Sequence, residues 1–145
     1  MYPLLPAGRV GVLLGSGGAG KTRLALSIAI ALATGGSWFG YSASRAGAVL
    51  FVGGEDEPDE AHRRLAEIIG RLPVEIQSLA WRNIFFEARV GTPSLITDVN
   101  SVSKQVEYTR FLHELAEAAK LVPNLGTIFL DPLSRFRGGE ENASQ

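Results

Sequence analysis

Cysteine is absent from the 145 residues, so neither a disulfide framework nor a thiolate metal site is available. An excess of one charge sign is lacking too. Fourteen Lys and Arg stand against 15 Asp and Glu, a net charge of −1. No global basic field advertises nucleic acid, and any contact with DNA would come from a local patch or from a ring of several subunits. Long hydrophobic runs are missing. The most apolar helical stretch, Lys21 to Thr34, is interrupted by Ser27 and too short to span a bilayer. No secretory leader is recognisable, and a cytoplasmic protein with no membrane partner is expected. Repeats and low-complexity runs are absent as well. What remains, 46% apolar and 20% charged residues in 145, suits one packed domain at most.

Glycine, by contrast, is plentiful, and its placement is informative. Gly15-Ser16-Gly17-Gly18-Ala19-Gly20-Lys21-Thr22 fits G-x-x-x-x-G-K-[ST], the phosphate-binding P-loop. Glycines let the backbone turn tightly and bring its N–H groups to phosphate oxygens. Lys21 supplies a mobile point charge for the β- and γ-phosphates. The Thr22 hydroxyl is the kind of hard oxygen that Mg²⁺ accepts. With the glycine, lysine and hydroxyl frequencies of this chain, about 0.005 chance matches are expected. Val10 to Leu14 reads as a buried strand and Lys21 to Thr34 as a buried helix ended by Gly35 and Gly36, the strand–loop–helix context the motif requires.

Further along, Trp38, Phe39 and Tyr41 sit in a loop and are expected to plug the end of the core; a face for adenine or for a neighbouring subunit is the alternative. Ala48 to Val52 reads as a second buried strand, followed by Gly53, Gly54 and Glu55. An acid just past the carboxyl end of such a strand lies where doubly wound sheets place their chemistry. Asp56, Glu57, Asp59 and Glu60 read as charges opening a helix around Pro58. Ala61, Leu65, Ile68, Ile69 and Leu72 form its buried stripe. Val74 to Trp81 suggests a short helical turn, and Asn83 to Ala88 a third strand. Gly91 to Val102 reads as a loop. A helix follows, capped by Ser101 or Ser103, with Tyr108, Phe111, Leu112, Leu115, Ala119 and Val122 on its apolar face and His113 on its surface. Thr127 to Asp131 is a fourth strand ending in a carboxylate, the Walker B pattern; Asp131 could hold Mg²⁺ or accept from Thr22. From Pro132 to Gln145 the chain reads as a polar tail, with Arg135 and Arg137 in solvent.

Three pieces together resemble a known group: the loop Gly15–Thr22, the segment GAVLFVGGEDEPDEAHRRLAEI at the second strand, and IFLDPLSRF with GGEENAS at the end. They are similar to the RecA-like ATPase core of RepA-type plasmid replicative helicases and the AAA-labelled proteins close to them. The likeness runs from about Ala7 to the last residue, though Val74 to Val122 matches only in pattern. It implies an α/β, three-layer P-loop NTPase fold of RecA-like type with a mainly parallel sheet. It also implies ATP and Mg²⁺ as cofactors, Gly15, Ser16, Gly17, Gly18, Ala19, Gly20, Lys21 and Thr22 as the nucleotide loop, and Lys21 with Glu55 as the catalytic pair. Glu55 would orient the attacking water; Thr22 and Asp131 would face Mg²⁺. Such proteins form hexameric rings around single-stranded DNA.

The resemblance also implies parts that this sequence does not show: a strand between the P-loop and Walker B strands, DNA-contacting loops, and an arginine finger. Residues 1–145 are therefore expected to be a partial RecA-like domain, incomplete at its C-terminal side. The P-loop and Walker B strands are expected either to pair directly or to lie about 9–10 Å apart, two strand spacings, across a gap. Rival readings are a RecA-like ATPase of DNA repair or regulation, a nucleotide-binding fragment without independent activity, and a small-molecule kinase. The last would need an arginine-bearing lid, and Arg63, Arg64 and Arg71 sit instead on a predicted surface helix.

Overall fold

Helix α1 spans Lys21–Thr34 and ends at Gly35, whose φ of 70° is the left-handed conformation that glycine adopts without strain. The computed structural model describes residues 4–100 and 103–138. After α1 come the short strands β1 (Ser37–Trp38) and β2 (Tyr41–Ser42), then β3 (Ala48–Gly53), α2 (Pro58–Ile69), α3 (Val74–Asn83) and β4 (Ile84–Ala88). Strands β5 (Thr97–Val99) and β6 (Val106–Tyr108), helix α4 (Arg110–Leu121), strand β7 (Leu125–Asp131) and a 3-10 turn at Leu133–Arg135 complete the order.

The architecture is α/β, built on a parallel sheet of order β4-β3-β7. All six residues of β3 are buried, as a strand covered on both faces must be. Alternation then divides its side chains between two cores. Val49 and Phe51 pack with Leu26, Ile30, Leu65, Ile69 and Ala80 from α1, α2 and α3. Leu50 and Val52 pack with Phe111 and Leu115 of α4 and with Phe136. Helices therefore cover both faces, giving three layers. Within the first core the rings of Phe86, Phe51 and Phe129 stack across the three strands, each neighbouring pair 5.4 Å between centroids. The register puts these three residues side by side, so the stack locks strand alignment.

Several expectations need correcting. Val10 to Leu14 is not a strand, and among the described residues it pairs with nothing. Val10 is 96% exposed and Leu14 84%. A parallel strand exists only by exchanging backbone hydrogen bonds with a neighbour. Strand β7 pairs with β3 alone, so of the two arrangements expected, direct pairing with the P-loop segment is not the one seen, and among the described residues no further strand joins this sheet. Residues 91–102 are not a plain loop, because β5 pairs antiparallel with β6. Tyr108 thus lies in an exposed strand rather than on α4; Val106 and Tyr108 follow a period of two that a helical reading mistakes for a first turn. Thr109 caps α4, its hydroxyl accepting from the Leu112 N–H at 3.4 Å. Ser103 does not cap it, and Ser101 lies outside the described residues. Helix α3 is a full ten residues.

The aromatic loop divides. The Trp38 indole N–H donates to Ser27 Oγ at 2.8 Å and packs on α1, whereas Phe39, at φ 46°, is exposed. In the supposed polar tail, Phe136 has no exposed surface at all. Half of that tail, from residue 139, lies outside the described residues. Among those described, no helix is long and apolar enough to cross a membrane.

Candidate functional site

The loop before α1 is shaped by backbone geometry. Gly18 and Gly20 have φ of 74° and 79°, a region that side chains disfavour. A Cβ added at Gly17, Gly18 or Gly20 would meet nothing within 4 Å, so these glycines leave open space on the loop's surface. Gly20 starts α1 and no side chain caps the helix, whose first turn carries no acid. The positive end of the helix dipole and its N–H groups therefore face the loop uncompensated, the arrangement that binds phosphate. The stem of Lys21 passes over Gly15, and its ammonium donates to the carbonyls of Gly15 at 2.8 Å and Ser16 at 2.7 Å. These bonds seat a positive charge across the loop.

Beside the loop is a cleft of about 110 Å³. Thr22 from α1, Glu55 and Asp56 beyond β3, Arg64 from α2 and Asp131 at the end of β7 all line it. The sheet explains the convergence. Gly53 and Asp131 are register partners at the carboxyl ends of two parallel strands, and the Gly54 N–H donates to the Asp131 carbonyl at 2.8 Å. Parallel strands end on the same side, so their terminal acids meet where α1 begins. Close packing fixes the tip of β3: a Cβ on Gly53 would stand 2.6 Å from Phe86 Cζ. The sequence-predicted set is thus brought together, with Thr22, Glu55 and Asp131 on one cleft and Lys21 one residue from it.

The remaining acids have separate uses. Asp56 forms an ion pair with Arg64 at 2.9 Å. Glu60 accepts from both Arg63 and Arg64, and those hydrogen bonds, Arg63's first, hold its carboxyl down at about 2. Glu67 takes Arg23 of α1 at 2.7 Å and Arg71 at 3.0 Å, tying α2 to α1; the Arg23 bond lowers its pKa. Glu57, Asp59 and Glu60 match the helix-opening reading, while Asp56 belongs to the cleft wall. Sequence reasoning missed the Asp56–Arg64 pair, for which no local spacing was a signal, and also the Glu60–Arg64 pair, for which a separation of four residues on a helix was one. It also missed that Arg135 Nε lies 4.0 Å from Glu55 Oε1.

The residues fit a nucleotide. The solvent-open glycine loop carries one ammonium and stands at an uncapped helix start, which suits a chain of phosphates. They fit Mg²⁺ as well. Among the described residues no group of three or more His, Cys, Asp or Glu gathers, so an all-protein cage is not offered. Mg²⁺ is typically held by one or two protein oxygens with phosphate and water oxygens, and Thr22 and Asp131 each bring an oxygen-bearing side chain to the lining of this cleft.

A family model described as an AAA domain matches residues 1–145. That match spans the glycine loop, both acidic strand ends and the helices that position them. The chain belongs to the AAA domain family, a family of nucleotide-binding ATPases.

Proposed function

We propose that this chain is the ATP-hydrolysing core of a RecA-like motor, of the kind found in RepA-type replicative DNA helicases, with residues 1–145 forming the nucleotide-binding part of that domain. One observation carries the catalytic reading: Thr22, Glu55 and Asp131, from three separate segments, line a single cleft beside the phosphate-binding loop. The family membership supports nucleotide binding. The likeness of the Glu55–Leu65 and Asp131–Phe136 segments to RepA-type proteins supports the helicase assignment.

In this reading the loop amides and Lys21 hold the β- and γ-phosphates and neutralise their charge. Glu55 orients a water for in-line attack on the γ-phosphorus. Thr22 and Asp131 hold Mg²⁺, which when bound screens the charge on the phosphoryl oxygens. Phosphoryl transfer asks for positioning and electrostatics, and these residues supply both. The hexameric ring and the single-stranded DNA contact are proposed for the assembled motor. An arginine finger contributes roughly 10³–10⁵ in rate where measured in this chemistry. None is identifiable in this sequence, so the chain alone turns over slowly. Among the described residues Val10–Leu14 pairs with no strand, which favours the same outcome, because a sheet would brace the loop's root.

The test is single-turnover hydrolysis of radiolabelled ATP with and without Mg²⁺. The unaltered chain shows slow, Mg²⁺-dependent release of phosphate. Glu55→Gln retains nucleotide binding and loses release by roughly a hundredfold or more, as expected for a group acting mainly in the transition state. Equal rates in the two proteins would remove Glu55 from the mechanism. Strand displacement by the assembled protein, driven by ATP, tests the helicase assignment; ATP hydrolysis without displacement would favour a repair or regulatory motor.

A further inference from the structure

We infer that Arg135 is a positioning residue that steers the Glu55 carboxylate toward the attacking water, an inference that rests on the ATPase reading above. Its Nε lies 4.0 Å from Glu55 Oε1. Three features make this approach part of the fold rather than a chance encounter of surface charges.

The first is the glycine before Glu55. A Cβ on Gly54 would stand 2.9 Å from Arg135 Cβ and 3.0 Å from its Cγ. Gly54 has no left-handed φ to require a glycine, so here the need is close approach: the arginine stem lies directly against the strand end. The second is the anchor beneath it. Arg135 ends a 3-10 turn in which its N–H donates to Pro132 O at 3.1 Å and the Phe136 N–H to Leu133 O at 3.0 Å. Phe136 is fully buried in the second core, and its carbonyl accepts from the Ile96 N–H at 2.8 Å. The base of the arginine is therefore fixed while its head reaches solvent.

The third is the division of labour among the arginines. Arg23, Arg63, Arg64 and Arg71 are engaged by Glu60, Glu67 and Asp56. Among the described residues, Glu55 is the only carboxylate within 4.0 Å of the Arg135 head. The two acids beyond β3 thus have separate cations, Asp56 with Arg64 and Glu55 with Arg135.

Both members of the Glu55–Arg135 pair are about 60% exposed, and such pairs contribute little to stability. Its use lies in orientation. Phosphoryl transfer demands little covalent chemistry of the protein and much placement, and a guanidinium anchored 4.0 Å from one carboxylate oxygen draws the carboxylate toward one side.

The experiment has a structural arm and a kinetic arm, both on the full chain. In the first, the Arg135 Nε–Hε cross-peak of ¹⁵N-labelled protein shifts on Glu55→Gln; an unmoved peak overturns the inference. In the second, single-turnover hydrolysis is measured over a range of Mg-ATP concentrations. Arg135→Ala lowers the maximal rate by roughly ten- to a hundredfold, the scale of losing placement by a fraction of an ångström to an ångström. Half-saturation and the melting curve stay unchanged. Arg135→Lys recovers part of the rate, because it keeps the charge but not the fork. A maximal rate in Arg135→Ala equal to or above that of the unaltered chain overturns the inference, as does a loss that appears only in half-saturation. An unaltered chain that binds Mg-ATP and hydrolyses it, beside an equally active Arg135→Ala, defeats this inference alone. An unaltered chain that binds no nucleotide defeats the ATPase reading, and this inference with it.

Discussion

Replacing Phe136 by alanine tests how the fold supports the cleft. Phe136 has 0% exposure and packs in the core that holds Leu50, Val52, Phe111 and Leu115. Its ring lies 6.1 Å from that of Phe111, and these buried neighbours belong to two different elements, β3 and α4, with little freedom to collapse inward. Truncating a buried phenylalanine costs about 3–5 kcal/mol, transfer and cavity terms together. Domains of this size are stable by roughly 5–15 kcal/mol, so the loss is a large fraction of the whole. At about 2–4 °C per kcal/mol it lowers the melting temperature by roughly 6–20 °C. Urea unfolding followed by tryptophan fluorescence measures it. Leu133→Ala, three residues earlier and 44% exposed, is the control and loses less than about 1 kcal/mol. If Phe136→Ala costs no more than Leu133→Ala, the tail is not part of the core and the anchoring of Arg135 fails with it.

Other outcomes follow from single contacts. Gly53→Ala places a methyl 2.6 Å from Phe86 Cζ and destabilises by about 1–3 kcal/mol, an overpacking penalty that Phe86→Leu in the same chain relieves; denaturant midpoints of the two variants decide it. Glu60 is held at about 2, below its ordinary 4.5, so its favourable contribution is complete above pH 4.5 and is lost as pH falls through about 2. Acid titration of stability therefore shows Glu60→Gln and the unaltered chain converging across that window; curves that stay parallel would contradict the Arg63 and Arg64 bonds as the cause. The exposed Val10 to Leu14 segment presents unpaired backbone and apolar side chains, so the chain self-associates with rising concentration, and Leu14→Lys reduces this in sedimentation velocity; identical behaviour of the two would locate the contact elsewhere.

Where local chemistry alone dictates structure, the sequence was readable. Helix α1 has its expected bounds because a left-handed glycine stands at each end. Strand β3 was visible as an unbroken apolar run, since burial on both faces leaves no alternation to confuse. That Glu55 and Asp131 would share one cleft was legible for the same reason: each stands at or just past the end of a strand, and parallel strands must end on one side. The failures fall where a distant partner decides. Val10 to Leu14 has strand composition, but a strand is a relation between two segments and the second is not among those described. Phe136 sits between two arginines, a local context that signals solvent; only α4 and β3 make it core. The β5–β6 pairing joins short polar strands whose pattern is weak by itself, and its last residues imitate the start of α4.

In the proposed function the amides and ammonium of the glycine loop and the acids of two strand ends serve one nucleotide. Calorimetric titration with Mg-ATP tests it most directly, comparing the unaltered chain with Lys21→Ala. The unaltered chain binds saturably at one site, and Lys21→Ala weakens binding roughly ten- to a hundredfold through loss of the charge-assisted hydrogen bonds of Lys21. Equal affinity in the two proteins, or no binding in the unaltered one, would contradict it.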